Sequence, residues 1–521
     1  MPDSTDSSSL STHLLEEDTA ALMSFYDALK EGRQRSYAFI LPRLFVAAKS
    51  LVNAIVSANL PNPDAAAGLA IGTLLQQLAL GIVKGGTVSI EAFIAELNKQ
   101  NKYDKIGPLV NQALVFSTVI GLPTAISFYY SEALLESIGI EEGVAEEAGK
   151  FLRAFSYGFL PLCWTMVDQA YLLSIDRKWS PAMLNAVFVG LSVLISYPMT
   201  MSYSKDISWF GYALSVAAIV TLIADRLYLY SNKTDGVLDR EKYQLFAKSF
   251  DSGFSFLHIL KFYFPAVLQG LSEWLPSLLT TFVIASKDSN GADEAQVPSV
   301  QIIVALTQIL QALGAAATIL VSEKLGKAEE YKKASNLQLH DNMVKNAELT
   351  AYAMSIVSLG YTSLAAIPCI IYPDPVVKLF CHNEELLELS NSMLRTTCAT
   401  LLVDGVRNVL TGALLGRKYL IDSYFASVTN LTITASASTL LGVFTQKEMG
   451  ALSLFIWKAL AITVSTGLEL KYWAVQAKSD TSSLACLGIC AQPKKDHVLR
   501  DVVADVGKDE KTAKRAGSPP V

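Results

Sequence analysis

Hydrophobic residues along this chain lie in long blocks separated by short polar stretches. A helix needs about 20 consecutive apolar residues to cross the hydrocarbon core of a bilayer. Blocks of that length occur at 37–60, 65–93, 108–130, 150–175, 181–203, 207–230, 254–286, 297–322, 344–372, 387–415, 419–444 and 449–474. The pattern therefore predicts an all-α integral membrane protein with twelve transmembrane helices.

The two halves of this pattern resemble each other. "FILPRLF" (39–45) opens the first half and "FYFPAVL" (262–268) opens the second, and each places a proline early in a long span. Basic turns follow the fourth span of each half, "DRKW" (176–179) and "GRKY" (416–419). Because six spans is an even number, both halves enter the membrane from the same side. Such parallel repeats form two lobes related by a pseudo-two-fold axis along the membrane normal, with the substrate path between them.

The polar stretches divide the chain into five parts. These are an N-terminal tail (1–36), a first six-helix lobe (37–230), an inter-lobe linker (231–253), a second six-helix lobe (254–475) and a C-terminal tail (476–521). Basic residues such as Lys99, Lys102 and Lys105 concentrate in the connectors that follow even-numbered spans. Since short cytoplasmic loops carry the excess of lysine and arginine, we expect both tails and the linker in the cytoplasm.

Composition agrees with this interpretation. Hydrophobic residues make up 51% of the 521 residues and charged residues 17%, whereas soluble domains carry about 25% charged residues. The six cysteines are scattered without the spacing of a disulfide framework or metal site. No nucleotide-binding loop or nucleophile–base set is apparent. We therefore expect no enzymatic activity, no cofactor and no nucleic-acid partner.

One glutamate interrupts the seventh span, "FPAVLQGLSEWLPSLLTTFVIAS" (264–286). An acidic residue at a helix centre costs about 2.5–3.5 kcal/mol to insert into a bilayer, so Glu273 is expected to face the bundle interior or water. Gln269, Ser277 and Thr280 share its helical face. The stripe is either a hydrogen-bonded packing surface or the wall of a cavity in which Glu273 binds a proton or cation.

A second polar face lies in the tenth span, "TTCATLLVDGVRNVLTGALLG" (396–416). Its members are Thr397, Thr400, Asp404, Arg407, Asn408 and Thr411. Asp404 is either neutralised by Arg407 one turn later or exposed to a cavity at mid-membrane depth.

The first half carries cations where the second carries Glu273. Span 37–60 contains Arg43 and Lys49 but no acidic residue, and Lys49 lies at nearly the depth of Glu273. Lys49 either extends its ammonium toward the membrane surface or faces the cavity opposite Glu273. Asp168, in the fourth span, is another buried carboxylate, without an evident partner in the sequence.

Three stretches resemble the multidrug and toxic compound extrusion (MATE) family, and the chain is similar to its NorM-like branch. They are "FIAELNKQNKYDKIGPLVNQAL" (93–114), "FPAVLQGLSEW" (264–274) and "DGVRNVLTGALLGRK" (404–418), in the family's order. The resemblance covers about residues 37–475. It implies an antiporter that works by alternating access and exports small organic, drug-like and typically cationic compounds against an inward flow of H⁺ or Na⁺.

The resemblance also implies that Glu273 and Asp404 are the carboxylates that couple ion to substrate. The family's acidic residue in the first span has no counterpart here, and Arg407 stands where the family usually has an uncharged residue. These departures favour H⁺ over Na⁺ as the coupling ion. They also keep open an anionic or lipid-linked substrate, or a degenerate transporter that serves as a membrane platform.

The remaining expectations concern the partners, the oligomeric state, the membrane and the C-terminal tail. A lipid bilayer and a small-molecule substrate are the expected partners of a monomeric protein in a plasma membrane or bacterial inner membrane. Cys486 and Cys490 lie beside basic residues in the C-terminal tail; that arrangement is typical either of a lipidated segment or of an ordinary solvated tail.

Overall fold

The computed structural model describes residues 23–481, apart from 61, 63, 100–102, 176, 178, 205, 232–255, 286–291, 334, 382, 418–424 and 426. The predicted inter-lobe linker therefore lies outside the described residues except for its first residue, and Cys486 and Cys490 lie outside them as well. The helices up to Ala477 belong to one compact unit.

Twelve long helical segments correspond to the twelve predicted spans. The first lobe contains α1 (Phe25–Ala58), α2 (Asp64–Lys99), α3 (Ile106–Tyr129), α4 (Glu142–Ser174), α5 (Trp179–Pro198) and α6 (Ser208–Ser231). The second contains α7 (Phe256–Ala285), α8 (Ala292–Lys333), α9 (Leu337–Ile371), α10 (Leu387–Gly416), α11 (Ser438–Met449) and α12 (Leu452–Thr481). Within the described residues the fold is all-α, in two six-helix lobes.

Two π-helical turns adjust this pattern. Met199–Ser204 extends α5, and Leu431–Ala437 leads into α11. Short helices at Ser131–Ser137 and Asp374–Val377 connect longer ones. The π-helical turns lengthen two segments that would otherwise be among the shortest in the bundle.

Ten of the described helical segments are long and apolar enough to cross a membrane, and α1, bent by 44° between Leu41 and Arg43, is an eleventh. The bend falls at a proline, which lacks the amide donor that an uninterrupted helix requires. The twelfth segment, α4, spans 33 residues but carries Arg153 and Asp168 within its apolar stretch. The ten or eleven apolar segments found among the described residues are roughly consistent with the twelve predicted spans.

Helix α1 begins twelve residues earlier than the predicted first span. The hydroxyl of Ser24 caps it by accepting from the amide of Asp27 at 3.1 Å. Two ion pairs then join it to α8: Lys324 to Glu31 at 2.7 Å and Arg35 to Glu323 at 2.9 Å. The last part of the predicted N-terminal tail is thus helical and attached to the second lobe.

The two lobes touch where α2 crosses α7. A β-carbon built on Gly270 would lie 2.0 Å from the carbonyl oxygen of Gly81, so the two backbones meet with no space for a side chain. Trp274 packs beside this crossing and is fully buried. The contact fixes how the polar faces of α2 and α7 approach each other in the centre of the molecule.

Candidate functional site

A small cavity lies inside the second lobe, between α7, α8, α10 and α12. Its polar lining comprises Ser272, Glu273, Ser277, Thr307, Thr397, Thr400, Asp404, Arg407, Thr434 and Lys458. It has space for about one water molecule. The lining is rich in hydroxyl groups and contains two acids and two bases.

Five of the candidate site residues predicted from the sequence line this cavity, as does Thr397 from the polar face of the tenth span. Glu273 and Ser277 come from α7, and Thr400, Asp404 and Arg407 come from α10. They meet because each helix turns its polar stripe toward the lobe interior, away from lipid. The two carboxylates singled out by the sequence therefore line the same polar cavity.

Arg407 forms an ion pair with Asp404 one turn earlier on the same helix. Its Nη2 lies 2.6 Å from Asp404 Oδ1, and the two side chains are 3% and 9% exposed. Arg407 also donates to Asn430 Oδ1 at 3.3 Å. Breaking a buried ion pair leaves an uncompensated charge and costs several kcal/mol, so Asp404 and Arg407 act as a unit.

A third carboxylate, Glu469 on α12, was missed by the sequence analysis. It is fully buried and accepts hydrogen bonds from Asn430 Nδ2 at 2.7 Å and Thr411 Oγ1 at 2.9 Å. Ser465 donates to the same Asn430. A polar network thus runs from the cavity at Asp404 through Arg407 and Asn430 to Glu469. The isolated acid in the span 449–474 was the available signal, of the same kind that identified Glu273.

Lys458, also on α12, is a second missed residue. It is buried, lines the cavity, and donates from Nζ to Ser277 Oγ at 2.7 Å. Its partner is a hydroxyl, so its charge is available to the cavity that Glu273 and Asp404 line.

Hydrogen bonds connect Glu273 to a lysine of the first lobe through one glutamine. Gln311 Nε2 on α8 donates to Glu273 Oε2, and Lys84 Nζ on α2 donates to Gln311 Oε1 at 2.5 Å. Lys84 interrupts an apolar run in the second span, yet nothing in the sequence indicates that it reaches Glu273.

Three predicted cavity residues lie elsewhere in the structure. Gln269 is buried next to the α2–α7 crossing, and Asn408 Nδ2 donates to the carbonyl of Asp404 at 3.0 Å within α10. The ammonium of Lys49 lies 5.8 Å from the ring centre of Phe188 on α5. That cation–π contact holds Lys49 against its own lobe, and the residue is absent from the lining of the Glu273 cavity.

Asp168 lines a different, smaller cavity in the first lobe, with Val110, Asn111, Tyr171 and Arg226 among its neighbours. Its Oδ2 lies 2.9 Å from Arg226 Nε on α6. The sequence analysis found no partner for Asp168 because Arg226 is 58 residues further along the chain. Asp225, fully buried, adds another carboxylate to this region.

The comparisons with known proteins agree with this geometry. The MatE family model matches residues 39–198 and 265–438, well over half the chain. The chain belongs to the MatE family. It is a multi-pass membrane transporter rather than an enzyme, and its two matched segments correspond to the two lobes.

Curated relatives include NorM-like and plant proteins. The chain is 23% identical over 385 residues to "Probable multidrug resistance protein NorM" of Pasteurella multocida, covering 71% of this chain and 76% of that one. It is 20% identical over 372 residues to "Protein DETOXIFICATION 36" of Arabidopsis thaliana, covering 70% and 69%. The chain is thus a NorM-like member of the family.

Solved structures share the fold. The eukaryotic MATE transporter AtDTX14 superposes with a TM-score of 0.68 at 15% identity, covering 87% of this chain and 99% of that one. An outward-facing multidrug resistance MATE family transporter gives a TM-score of 0.70 at 13% identity, covering 88% and 97%. The two-lobe architecture is therefore that of known MATE transporters.

Proposed function

We propose that this protein is a secondary antiporter that exports small organic compounds in exchange for H⁺ by alternating access of its two lobes. The observation that supports it is the shared polar cavity of Glu273 and Asp404 inside the second lobe. We place both termini in the cytoplasm, in a plasma membrane or bacterial inner membrane, and expect a monomer that works without a cofactor.

Glu273 is the better candidate for the group that gains and loses the proton. Asp404 is already occupied by an ion pair with the guanidinium of Arg407. The hydrogen-bond partner of Glu273 is the neutral amide of Gln311. A proton bound at Glu273 from the outside would be released to the cytoplasm when the cavity faces inward.

The cavity lining opposes Na⁺ more strongly than H⁺. Arg407 and Lys458 both line it, and fixed positive charges disfavour a metal ion and the protonation of a carboxylate alike. A proton needs only one carboxylate oxygen, whereas a metal ion also needs a shell of oxygen ligands, for which a cavity with space for about one water has little room.

The test is flux into proteoliposomes under a pH gradient and, separately, a Na⁺ gradient, using a panel of cationic and anionic dyes. We expect the pH gradient alone to drive transport, and Glu273→Gln and Asp404→Asn to insert normally but lower flux at least about tenfold, as when charged hydrogen bonds are lost. Unchanged flux in both variants would remove the proposed coupling site.

An organic anion is the second candidate substrate, because several buried or partly buried cations have no carboxylate within ion-pair distance among the described residues. Arg43 donates to Gln308 at 3.3 Å, Lys458 to Ser277 at 2.7 Å, and Lys49 contacts Phe188. The sequence resemblance favours a cationic substrate, whereas these side chains favour an anion. If the substrate is anionic, Lys49→Ala and Arg407→Ala should lower flux more than Glu273→Gln does.

A further inference from the structure

We propose that Lys84 and Gln311 are positioning residues that link the charge state of Glu273 to the contact between the two lobes. The inference rests on the proposed function, since it assigns a means by which proton binding at Glu273 changes the lobe contact.

Gln311 connects a cation of one lobe to a carboxylate of the other. Its oxygen accepts from Lys84 Nζ at 2.5 Å, and its nitrogen donates to Glu273 Oε2. The amide can satisfy both partners in one orientation only, with oxygen toward the ammonium and nitrogen toward the carboxylate. Gln311 is buried, whereas Lys84 and Glu273 are partly exposed, so both hydrogen bonds are partly buried.

The backbone crossing explains why an intermediate side chain is needed. Lys84 follows Gly81 by three residues, and Glu273 follows Gly270 by three residues. Tyr263 packs onto Gly86 while Gly270 packs onto Gly81, so α2 and α7 run antiparallel. The two charged residues therefore leave the crossing in opposite directions, about 9 Å apart along the axes at 1.5 Å per residue. Gln311, from α8, spans that separation.

Other charged groups surround Glu273 on several helices. Arg43 on α1 and Lys84 on α2 interact electrostatically with it, as do Asp404 and Arg407 on α10. Lys458 on α12 lines the same cavity. Of these five groups, Lys84 is the one whose hydrogen bond reaches Glu273 through a shared partner.

Protonation of Glu273 would weaken this connection. A hydrogen bond to an ionised group is roughly twice as strong as one between neutral groups. When Glu273 is neutral, Gln311 loses the charged acceptor that orients it, and Lys84 loses the opposite charge beyond the amide. The contact between α2 and the α7–α8 pair is then easier to open, so the lobes separate preferentially with the proton bound.

A neighbouring glutamine on α8 supplies the matched control. Gln308, one turn before Gln311, donates to Gln77 Oε1 on α2 at 2.9 Å. This buried bond crosses between the same two helices but joins two neutral amides. The oxygen of Gln308 also accepts from Arg43 at 3.3 Å. Gln308→Met therefore removes a cross-lobe hydrogen bond and a contact with a cation, while the hydrogen bond from Gln311 to Glu273 stays in place.

The experiment measures pH-gradient-driven dye flux in proteoliposomes across external pH for Lys84→Met, Gln311→Met and Gln308→Met. The first two should raise the midpoint of the pH profile by about one pH unit. Gln311→Met removes the hydrogen bond to Glu273 and Lys84→Met removes a nearby positive charge, and both of these interactions favour the ionised carboxylate. Gln308→Met should leave the midpoint unchanged, and Lys84→Arg should restore it by keeping a charged donor.

A second readout is substrate efflux without a pH gradient. A purely structural role would lower all fluxes together, whereas a linking role should let Lys84→Met and Gln311→Met release substrate uncoupled from H⁺. If Lys84→Met fails to insert, Lys84→Gln, which keeps a neutral donor, gives the same comparison.

The outcomes separate this inference from the proposed function. A wild-type protein without pH-driven flux would overturn the antiport proposal and with it the linkage. Normal wild-type flux with Lys84→Met and Gln311→Met indistinguishable from Gln308→Met would overturn the linkage alone.

Discussion

The two lobes share one helical arrangement but hold their buried carboxylates differently. In the first lobe Asp168 pairs with Arg226, whose side chain is 29% exposed. In the second lobe Asp404 pairs with Arg407, which is 3% exposed and continues into a network that ends at Glu469. A pair with an exposed member loses less when its partner is removed than a pair buried on both sides. The repeat thus supplies two similar scaffolds, of which the second is the better insulated site for ions.

The most direct test of this difference between the lobes is to neutralise one carboxylate in each. Asp404→Asn should lower pH-driven flux at least about tenfold, because it leaves the guanidinium of Arg407 buried without its partner. Asp168→Asn should change flux less than about twofold, because Asp168 lines a separate cavity and Arg226 is partly exposed rather than sealed in the interior. Flux in proteoliposomes at equal protein content measures both, and equal losses would show that the lobes contribute alike.

The next largest effect is expected where the lobes meet. Gly270→Ala places a β-carbon against the backbone of Gly81, so the crossing must shift, at a cost of about 1–3 kcal/mol for overpacking. Thermal unfolding in detergent should show a lower midpoint. Gly467→Ala is the control, because a β-carbon there meets no atom within 4 Å. A control that destabilises as much as Gly270→Ala would mean that helix propensity, not the crossing, governs the result.

A smaller difference is expected between the stability lost on removing one hydroxyl hydrogen bond in the second lobe and one in the first lobe. Thr411→Val removes the 2.9 Å bond to the Glu469 carboxylate and should lower stability by about 1–3 kcal/mol. Ser215→Ala removes a 2.7 Å bond from α6 to the neutral carbonyl of Ala154 on α4, and should cost about 0.5–1.5 kcal/mol. Denaturant or thermal unfolding of the two purified variants measures both losses of unfolding free energy. A larger loss in Ser215→Ala than in Thr411→Val would contradict the prediction.

The smallest effect concerns the ion pairs at the start of α1. Glu31→Gln removes the 2.7 Å pair with Lys324 on α8, and a solvent-accessible pair contributes about 0.2–1 kcal/mol. The wild-type melting temperature should fall slightly with added salt, and that dependence should be weaker in the variant. Identical salt dependence would indicate that the pair contributes nothing to lobe contact.

The features that the sequence predicted well are those encoded by local pattern. Twelve apolar blocks and the half-chain repeat specify the fold, since bilayer thickness sets the length of every span. Glu273 and Asp404 were identifiable because an acid in hydrocarbon must turn inward, and both indeed line one cavity. Only the depth of Lys49 in the membrane followed from the sequence. Depth does not determine toward which neighbouring helix a side chain points, so the contact of Lys49 with Phe188 could not be predicted.

The partners of these residues depended on the tertiary structure. Arg226 reaches Asp168, and Lys84 approaches Glu273 through Gln311, although each pair is far apart in the chain. Spacing within one helix predicts the Asp404–Arg407 pair but carries no information about which helix packs beside it. The sequence by itself determined the membrane fold, the two-lobe repeat and the inward-facing acids, because these follow from the cost of placing polar groups in lipid. Only packing decided which donors those acids meet, because that depends on backbone crossings such as Gly81 on Gly270.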